Sequence, residues 1–241
     1  MTLPPERYRS RRFGEVELAF RCKGGNEDET FVDVLSGRPE RSRLERLVRR
    51  EWPSVQVVRL LQAEPPAPEA VADQHVLAGR TSRLAGLPSP PRLEGFSLRP
   101  FEPSDFAPYI LAMGTFRESD PLGAEVWPCS AEDFAEALRS GAAVVAEGLD
   151  GQAGVAACAP GSVGPWSGQV MLELFVHPRA RRKGLATALQ RSLIERLPDT
   201  RLLGTIHTAN APSLATARRC GRRILATYWW VPLAETTWLD A

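Results

Sequence analysis

The chain reads as an α/β (α+β) protein, with a central mixed sheet flanked by helices in its C-terminal part and a smaller α/β domain before it. Three observations predict this. Strand-like runs alternate with runs of helical period along nearly the whole sequence. Two proline-rich stretches, Glu64–Pro68 and Leu87–Pro91, interrupt the first half as stiff, extended spacers. The length, 241 residues, is about one and a half times a typical ~150-residue domain. The second proline stretch leads straight into an alternating run, Phe96-Ser97-Leu98-Arg99, and the charge changes sign there. Residues 1–92 hold 16 basic and 13 acidic side chains, net +3, whereas residues 93–241 hold 14 and 16, net −2. The expected domains are therefore 1–92 and 93–241.

In the first domain, Glu15–Arg21 alternates as a strand, Gly24-Gly25-Asn26 turns the chain, and Thr30–Leu35 is a second strand. Pro39–Glu51 is helical, with Leu44, Leu47 and Val48 on one face. Val55–Leu61 is a Val-rich strand, and Glu69–Leu84 a weaker helix. Beyond the boundary, Ser104 or Asp105 caps a helix through Met113, with Pro108 tolerated in its first turn. Ser130 to Asp133 forms a capping box that opens a helix to Leu138. Ala142–Glu147 and Gln152–Ala159 are apolar strands joined by Leu149-Asp150-Gly151. Val170–Val176 is a strand, Leu185–Leu197 an amphipathic helix, Arg201–His207 a strand, Pro212–Arg219 a helix and Ile224–Leu233 the last strand.

Apolar residues make up 43% and charged residues 24%, a folded-protein composition. No apolar run approaches the ~20 residues that cross a bilayer. The polar, Arg-rich start, Met1–Arg12, lacks the apolar segment of a secretory signal, so a cytoplasmic protein without membrane partners is expected. Cys22, Cys129, Cys158 and Cys220 are far apart with no C-x-x-C pair, which argues for reduced thiols and against a disulfide framework or a metal site. Net charge +1 argues against a dedicated nucleic-acid binder. Of the 30 basic residues only Lys23 and Lys183 are Lys; a GC-rich genome accounts for the arginine excess.

The informative segment runs from Leu174 to Ala186. A strand ends at Val176, and Pro178 removes a ladder donor. A basic loop with Arg181, Arg182 and Lys183 follows, and Gly184 and Ala186 open the amphipathic helix. The first N–H groups of a helix have no internal partner and carry the positive end of its dipole, so this junction suits an anion. Small residues there let backbone approach the ligand.

The pattern V-x-P-x-x-R-x-x-G-x-A over Val176–Ala186 resembles the acyl-CoA-binding motif of the GNAT superfamily of N-acyltransferases. Asn210-Ala-Pro-Ser213 with Cys220-Gly221 resembles the family's later N-x-x-[AS]…G segment. Leu98-Arg99-Pro100 with Asp105 resembles its opening strand and first helix. The resemblance covers roughly 93–241 and implies a GNAT-like sheet. It also implies that Arg181, Arg182, Lys183, Gly184, Leu185 and Ala186 bind the CoA pyrophosphate, mainly through main-chain N–H groups. Phe175 and Val176 would hydrogen-bond the pantetheine, where the strand splays from its neighbour. Asn210 and Ser213 would contact that arm or shape its channel.

The implied reaction is attack of an amine on acetyl-CoA in a ternary complex, the acceptor being a small molecule or a protein. A lysine amine is neutral in roughly one molecule in 2,500 at pH 7 and an α-amine in roughly one in seven, so a general base matters most for the first. Glu173 is the first candidate base, against a reading as a solvated carboxylate; Glu125 and Asp120 follow. Many family members protonate the departing thiolate with a Tyr seven residues after the motif's Asn. Here that position is Ala217, and Cys220 and Tyr228 are the substitutes on offer. The alternative function is a non-catalytic CoA-binding or regulatory module. The resemblance leaves room for a homodimer.

His177 reads as a loop residue, His207 as a satisfied core histidine, and Tyr228-Trp229-Trp230 as strand packing. The order strand 30–35, helix 39–51, strand 54–61, helix 69–84 repeats the order from 170 to 219, with Gly37-Arg38-Pro39 near the place of the basic loop. This suggests a degenerate half-copy of the same fold. Arg43 and Leu44 stand near the equivalents of the loop's small residues, so the half-copy would bind no CoA and would serve packing or acceptor selection.

Overall fold

The computed structural model describes residues 10–22, 30–87, 93–119 and 128–233. By contact, the chain divides into two compact units, Met1–His75 with Leu225–Ala241, and Val76–Ile224.

In the first unit, β1 (Ser10–Phe13), β2 (Val16–Cys22) and β3 (Thr30–Ser36) form an antiparallel meander. Helix α1 (Arg41–Glu51) crosses over to β4 (Val57–Gln62), which lies parallel to β3. The chain's last strand, β11 (Arg223–Pro232), closes this unit by pairing antiparallel with β4, from Thr227↔Gln62 to Pro232↔Val57. Leu44 and Val48 of α1 are buried against Val16, Leu18, Val32, Val58 and Val231, which gives the unit its core. Gly37 takes φ 84°, and a Cβ there would stand 2.7 Å from the Glu15 carbonyl oxygen. The residue serves close backbone packing. Helix α1 then starts after Glu40 without a small-residue loop.

The expected helix over Glu69–Leu84 is corrected. Val71–Arg80 is a strand, β5, and only Thr81–Ala85 is helical, as α2. Val76, Leu77 and Ala78 are buried one after another. Burial of successive residues means that both faces are covered, which a central strand achieves and an amphipathic surface helix does not. Residues 76–87 join the second unit, where the sequence expectation put the boundary near 92. Leu77 packs on Leu214 and Ala217, and Leu84 enters the main core of that unit. The buried Arg191 guanidinium donates to the carbonyls of Leu84, Ala85 and Leu87, and so holds the end of α2.

In the second unit, β6 (Ser97–Pro100), β7 (Ala143–Gly148), β8 (Gly151–Val163) and β9 (Trp166–Val176) run antiparallel in that order. Strand β10 (Arg201–His207) lies parallel to β9, joined to it by α5 (Leu185–Ile194). Helix α6 (Ala211–Arg219) follows. The layers are sorted by side-chain alternation. Val144, Ala146 and Ala156 meet Leu185, Leu189 and Leu193 of α5. On the opposite face, Val145, Val155 and Phe175 meet α3 (Phe106–Ser119) and α4 (Ala131–Arg139) through Tyr109, Met113 and Phe134. Helix α3 runs six residues past the expected end at Met113, after a 3-10 turn at Pro103–Asp105. Asp105 accepts from the Glu102 N–H at 2.7 Å and pairs in bidentate fashion with Arg99, which ties β6 to α3.

The expected half-copy keeps part of its likeness. Antiparallel, antiparallel, then parallel across a helix describes β1-β2-β3-α1-β4 and also β7-β8-β9-α5-β10. The repeat stops at β5, where a helix was expected.

Candidate functional site

The site grows from the end of β9. Met171 faces Cys158 and Glu173 faces Ala157 across the β8–β9 ladder, so Leu172 is an extra, bulged residue. A bulge sharpens local twist and bends its strand. On its other side β9 pairs with β10 at Gln169↔Leu202 and Val170↔Leu203, just before the bulge. Among the described pairs none lies further along, although the strands continue to Val176 and His207. The two strands therefore part from 171 and 204 onward, which leaves unpaired backbone on both walls of a wedge.

Past Val176 the chain makes a 3-10 turn over Pro178–Ala180, and the His177 ring nitrogen accepts from the Arg179 N–H at 3.4 Å. This fits the loop role expected of His177. Burial, with Arg179 and Arg181 nearby, lowers its pKa. Arg182 has φ 66° and Gly184 φ 78°. Left-handed residues in such a turn aim successive N–H groups into one concavity. Gly184 is the N-cap of α5 and has no side chain with which to cap it. By contrast, Ser130 caps α4 and Asn210 caps α6 with their side-chain oxygens. The N–H groups in the first turn of α5 are thus left for an external acceptor. Leu185 is buried in the core, so it can offer only its main-chain N–H, while Ala186 is half-buried.

The basic side chains are exposed and differently employed. Arg181 turns back, donating from Nε to the Val176 carbonyl at 3.1 Å, with its guanidinium 4.5 Å from the Phe116 ring. A carbonyl oxygen has two lone pairs, so Val176 can still accept from a ligand. The Lys183 ammonium sits 5.4 Å from the Phe96 ring. Phe175 is a core residue, 6.3 Å from Tyr109 and 6.0 Å from Phe116 between ring centres. Its main chain lies in the β8 ladder opposite Val155, so of the two expected pantetheine contacts Val176 is the one whose main chain faces the wedge.

Glu173 follows the bulge and points to the α3 side. The Tyr109 hydroxyl donates to its Oε2 at 2.5 Å, and the Leu174 N–H donates to its Oε1 at 2.9 Å. Tyr109 is fully buried and accepts from the Cys129 N–H at 2.9 Å. Burial raises the Glu173 pKa; the hydrogen bonds from Tyr109 and from main-chain N–H groups oppose part of the rise. Burial and the neighbouring carboxylate raise the Tyr109 pKa, so it remains a donor. Burial pushes the Cys129 thiol to about 12, so it stays protonated. The reading of Glu173 as a solvated carboxylate is corrected. Tyr109 and the bulge had no signal in the sequence, since a Tyr on a helix face and an extra residue in an apolar strand look like ordinary packing.

The Asn210 side chain accepts from the Ser213 N–H at 3.2 Å, so these two residues cap α6 together. Ala217 is fully buried against Leu77, Leu214 and Ile206. Burial raises the Cys220 thiol, and Tyr228 belongs to the first unit, 4.1 Å from the Arg59 guanidinium. His207 is exposed and accepts from the Ala209 N–H at 3.2 Å, so the expected core histidine is a turn residue instead. Trp229 and Trp230 pack the last strand as expected, Trp230 edge-on to Phe31 at 4.7 Å. Glu125 and Asp120 lie outside the described residues.

No curated protein sequence matches this chain. Solved structures do, at low identity. An acetyltransferase of the GNAT family from Colwellia psychrerythraea superposes with TM-score 0.62 at 7% identity, covering 91% of this chain and 81% of that one. A GCN5-related N-acetyltransferase from Kribbella flavida gives 0.57 at 13% identity, covering 94% and 90%. A tandem GNAT protein from the clavulanic acid biosynthesis pathway gives 0.53 at 14% identity, covering 93% and 82%. These likenesses show the fold. The model of the acetyltransferase (GNAT) family matches residues 112–221, a span that holds the bulge, the parted strands, the basic loop and the helix α6. Residues 112–221 are therefore a domain of the GNAT acetyltransferase family.

Proposed function

We propose that this protein is an N-acyltransferase that moves acetyl from acetyl-CoA to an amine in the cytoplasm. The observation that carries the reading is the junction of an uncapped helix N-terminus with two parted strands that lead to a half-buried carboxylate hydrogen-bonded to Tyr109. The donor set fits the CoA arm. Main-chain N–H groups from Arg182 to Ala186 would take the pyrophosphate, with Lys183 and the exposed Arg182 adding charge. The free edge of β9, including the Val176 carbonyl, would take the amide-bearing arm. When bound, acetyl-CoA supplies an activated acyl carbon and a thiol leaving group with a pKa near ~8–9.

The chain's own part is proton management. Glu173 accepts the proton that the attacking amine loses, and its raised pKa suits that task. Tyr109 holds the carboxylate in place without surrendering its own proton. Ala217 offers no donor, so the leaving group depends on its low basicity. Purified protein, acetyl-CoA and a panel of amines should release free thiol in step with acylated amine. CoA binding without release on any amine would favour the non-catalytic module.

A further inference from the structure

Among its described residues the second unit holds two buried arginines, Arg191 and Arg222, whose environments differ sharply. Arg191 has the carbonyls at the end of α2. Arg222 is 3% exposed, and its Nε and Nη1 are buried with no partner. Its guanidinium lies over β10, with Nη1 at 2.8 Å from where a Cβ on Gly204 would stand. Burial pulls its pKa down only to about 10, so it stays charged at neutral pH. A buried, unpaired charge is among the costliest features a fold can keep.

Arg222 lines a cavity of about 350 Å³ together with Arg83, Arg218 and Arg223, with Leu84 and Leu87 as its apolar wall. Three of these arginines are exposed, and among the described residues none of the four guanidinium groups has an ion-pair or hydrogen-bond partner. Among the described residues no acidic side chain lines the cavity. Its place is set by α2: the Thr81 N–H bonds the Thr200 carbonyl just before β10 begins, whereas the basic loop follows the end of the parallel strand β9. The cavity is therefore at the other end of the strands from the CoA loop, and shares no residue with it.

We infer that this cavity is a second binding site, for the phosphate or carboxylate group of a small molecule, with Arg222 as its buried anchor. Four guanidinium forks around an acid-free hollow match the planar or tetrahedral oxygens of such groups. The size, near the lower end of the ~300–1,000 Å³ range of ligand pockets, admits more than the bare anion.

The test uses the full chain, with inorganic phosphate and citrate as probes and chloride at matched ionic strength as control. Thermal unfolding and calorimetry should show saturable stabilisation by one of the two probes and none by chloride; the effective probe tells a phosphate site from a carboxylate site. Arg222→Met should keep its CoA affinity, unfold in chloride at a temperature no lower than wild type, and lose that probe's affinity at least about tenfold. If Arg222→Met does not fold, the exposed pair Arg218→Ala with Arg223→Ala should show the same loss in a folded protein. Gly184→Asp should leave the probe response intact, which separates this site from the CoA loop. A wild type indifferent to both probes overturns the proposal. So does a response that survives Arg222→Met, or one that vanishes with Gly184→Asp.

Discussion

Tyr109→Phe removes one oxygen from the centre of the network around Glu173. The lost hydroxyl donates to the carboxylate at 2.5 Å and accepts from the Cys129 N–H at 2.9 Å, while the Leu174 N–H at 2.9 Å stays. A hydrogen bond to a charged group contributes about 1.5–3 kcal/mol. One pKa unit corresponds to about 1.4 kcal/mol. The bond favours the charged form, so its loss moves the Glu173 pKa further upward, by about 1–2 units. Carbon-13 labelling of glutamate carboxyls, with Glu173→Gln to assign the signal, reads the titration directly and needs no acceptor. In a turnover assay the acidic limb of kcat/KM should move to higher pH by the same amount, and the alkaline limb should stay. A Glu173 titration identical in Tyr109→Phe and wild type would refute the reasoning.

Glu173→Gln should abolish thiol release while CoA binding persists. Because burial raises the native pKa of Glu173, the native state holds this proton more tightly than the unfolded chain does. Stability from this group is full below the unfolded value near 4.5 and is lost as pH rises through the native value. Glu173→Gln should accordingly gain stability over wild type in denaturant titrations at pH 8, and the gain should fade toward pH 4. Gly184→Asp should eliminate CoA binding by calorimetry with the circular dichroism spectrum unchanged. The nearest atom to a new Cβ there, on Leu93, is 4.0 Å away, so charge and the left-handed φ act, not a clash; Gly184→Ala should bind more weakly but measurably. Asn210→Ala removes the α6 cap and should cost about 0.5–2 kcal/mol in urea unfolding. A loss near zero would mean that another group takes the Ser213 N–H.

Some features were legible because neighbours in sequence create them. The basic loop, the Ser130 cap and the turn at Gly151 depend on a few adjacent residues, and each stands where the residues place it. Strand Arg201–His207 begins and ends as expected. The stretch Glu69–Leu84 misled because its alanines suit a helix, whereas its buried run Val76-Leu77-Ala78 suits a strand only once neighbours cover both faces. Glu173 was legible as a carboxylate near the loop. Its role in the network was not, because its partner Tyr109 stands 64 residues earlier.

By itself, then, the sequence determined that a strand ends at Val176, that an uncapped, basic helix start follows, and that strands and helices alternate around them. These are consequences of φ restriction, missing donors and periodicity, all local. Tertiary structure alone decided the extra residue at Leu172, the parting of β9 from β10, the hydrogen bond that ties Glu173 to Tyr109 and the seat of Arg222. It also decided that the last strand closes the first unit by pairing with β4. Each of these depends on which distant backbone or side chain completes a hydrogen bond or excludes water, and no window of neighbouring residues contains that information.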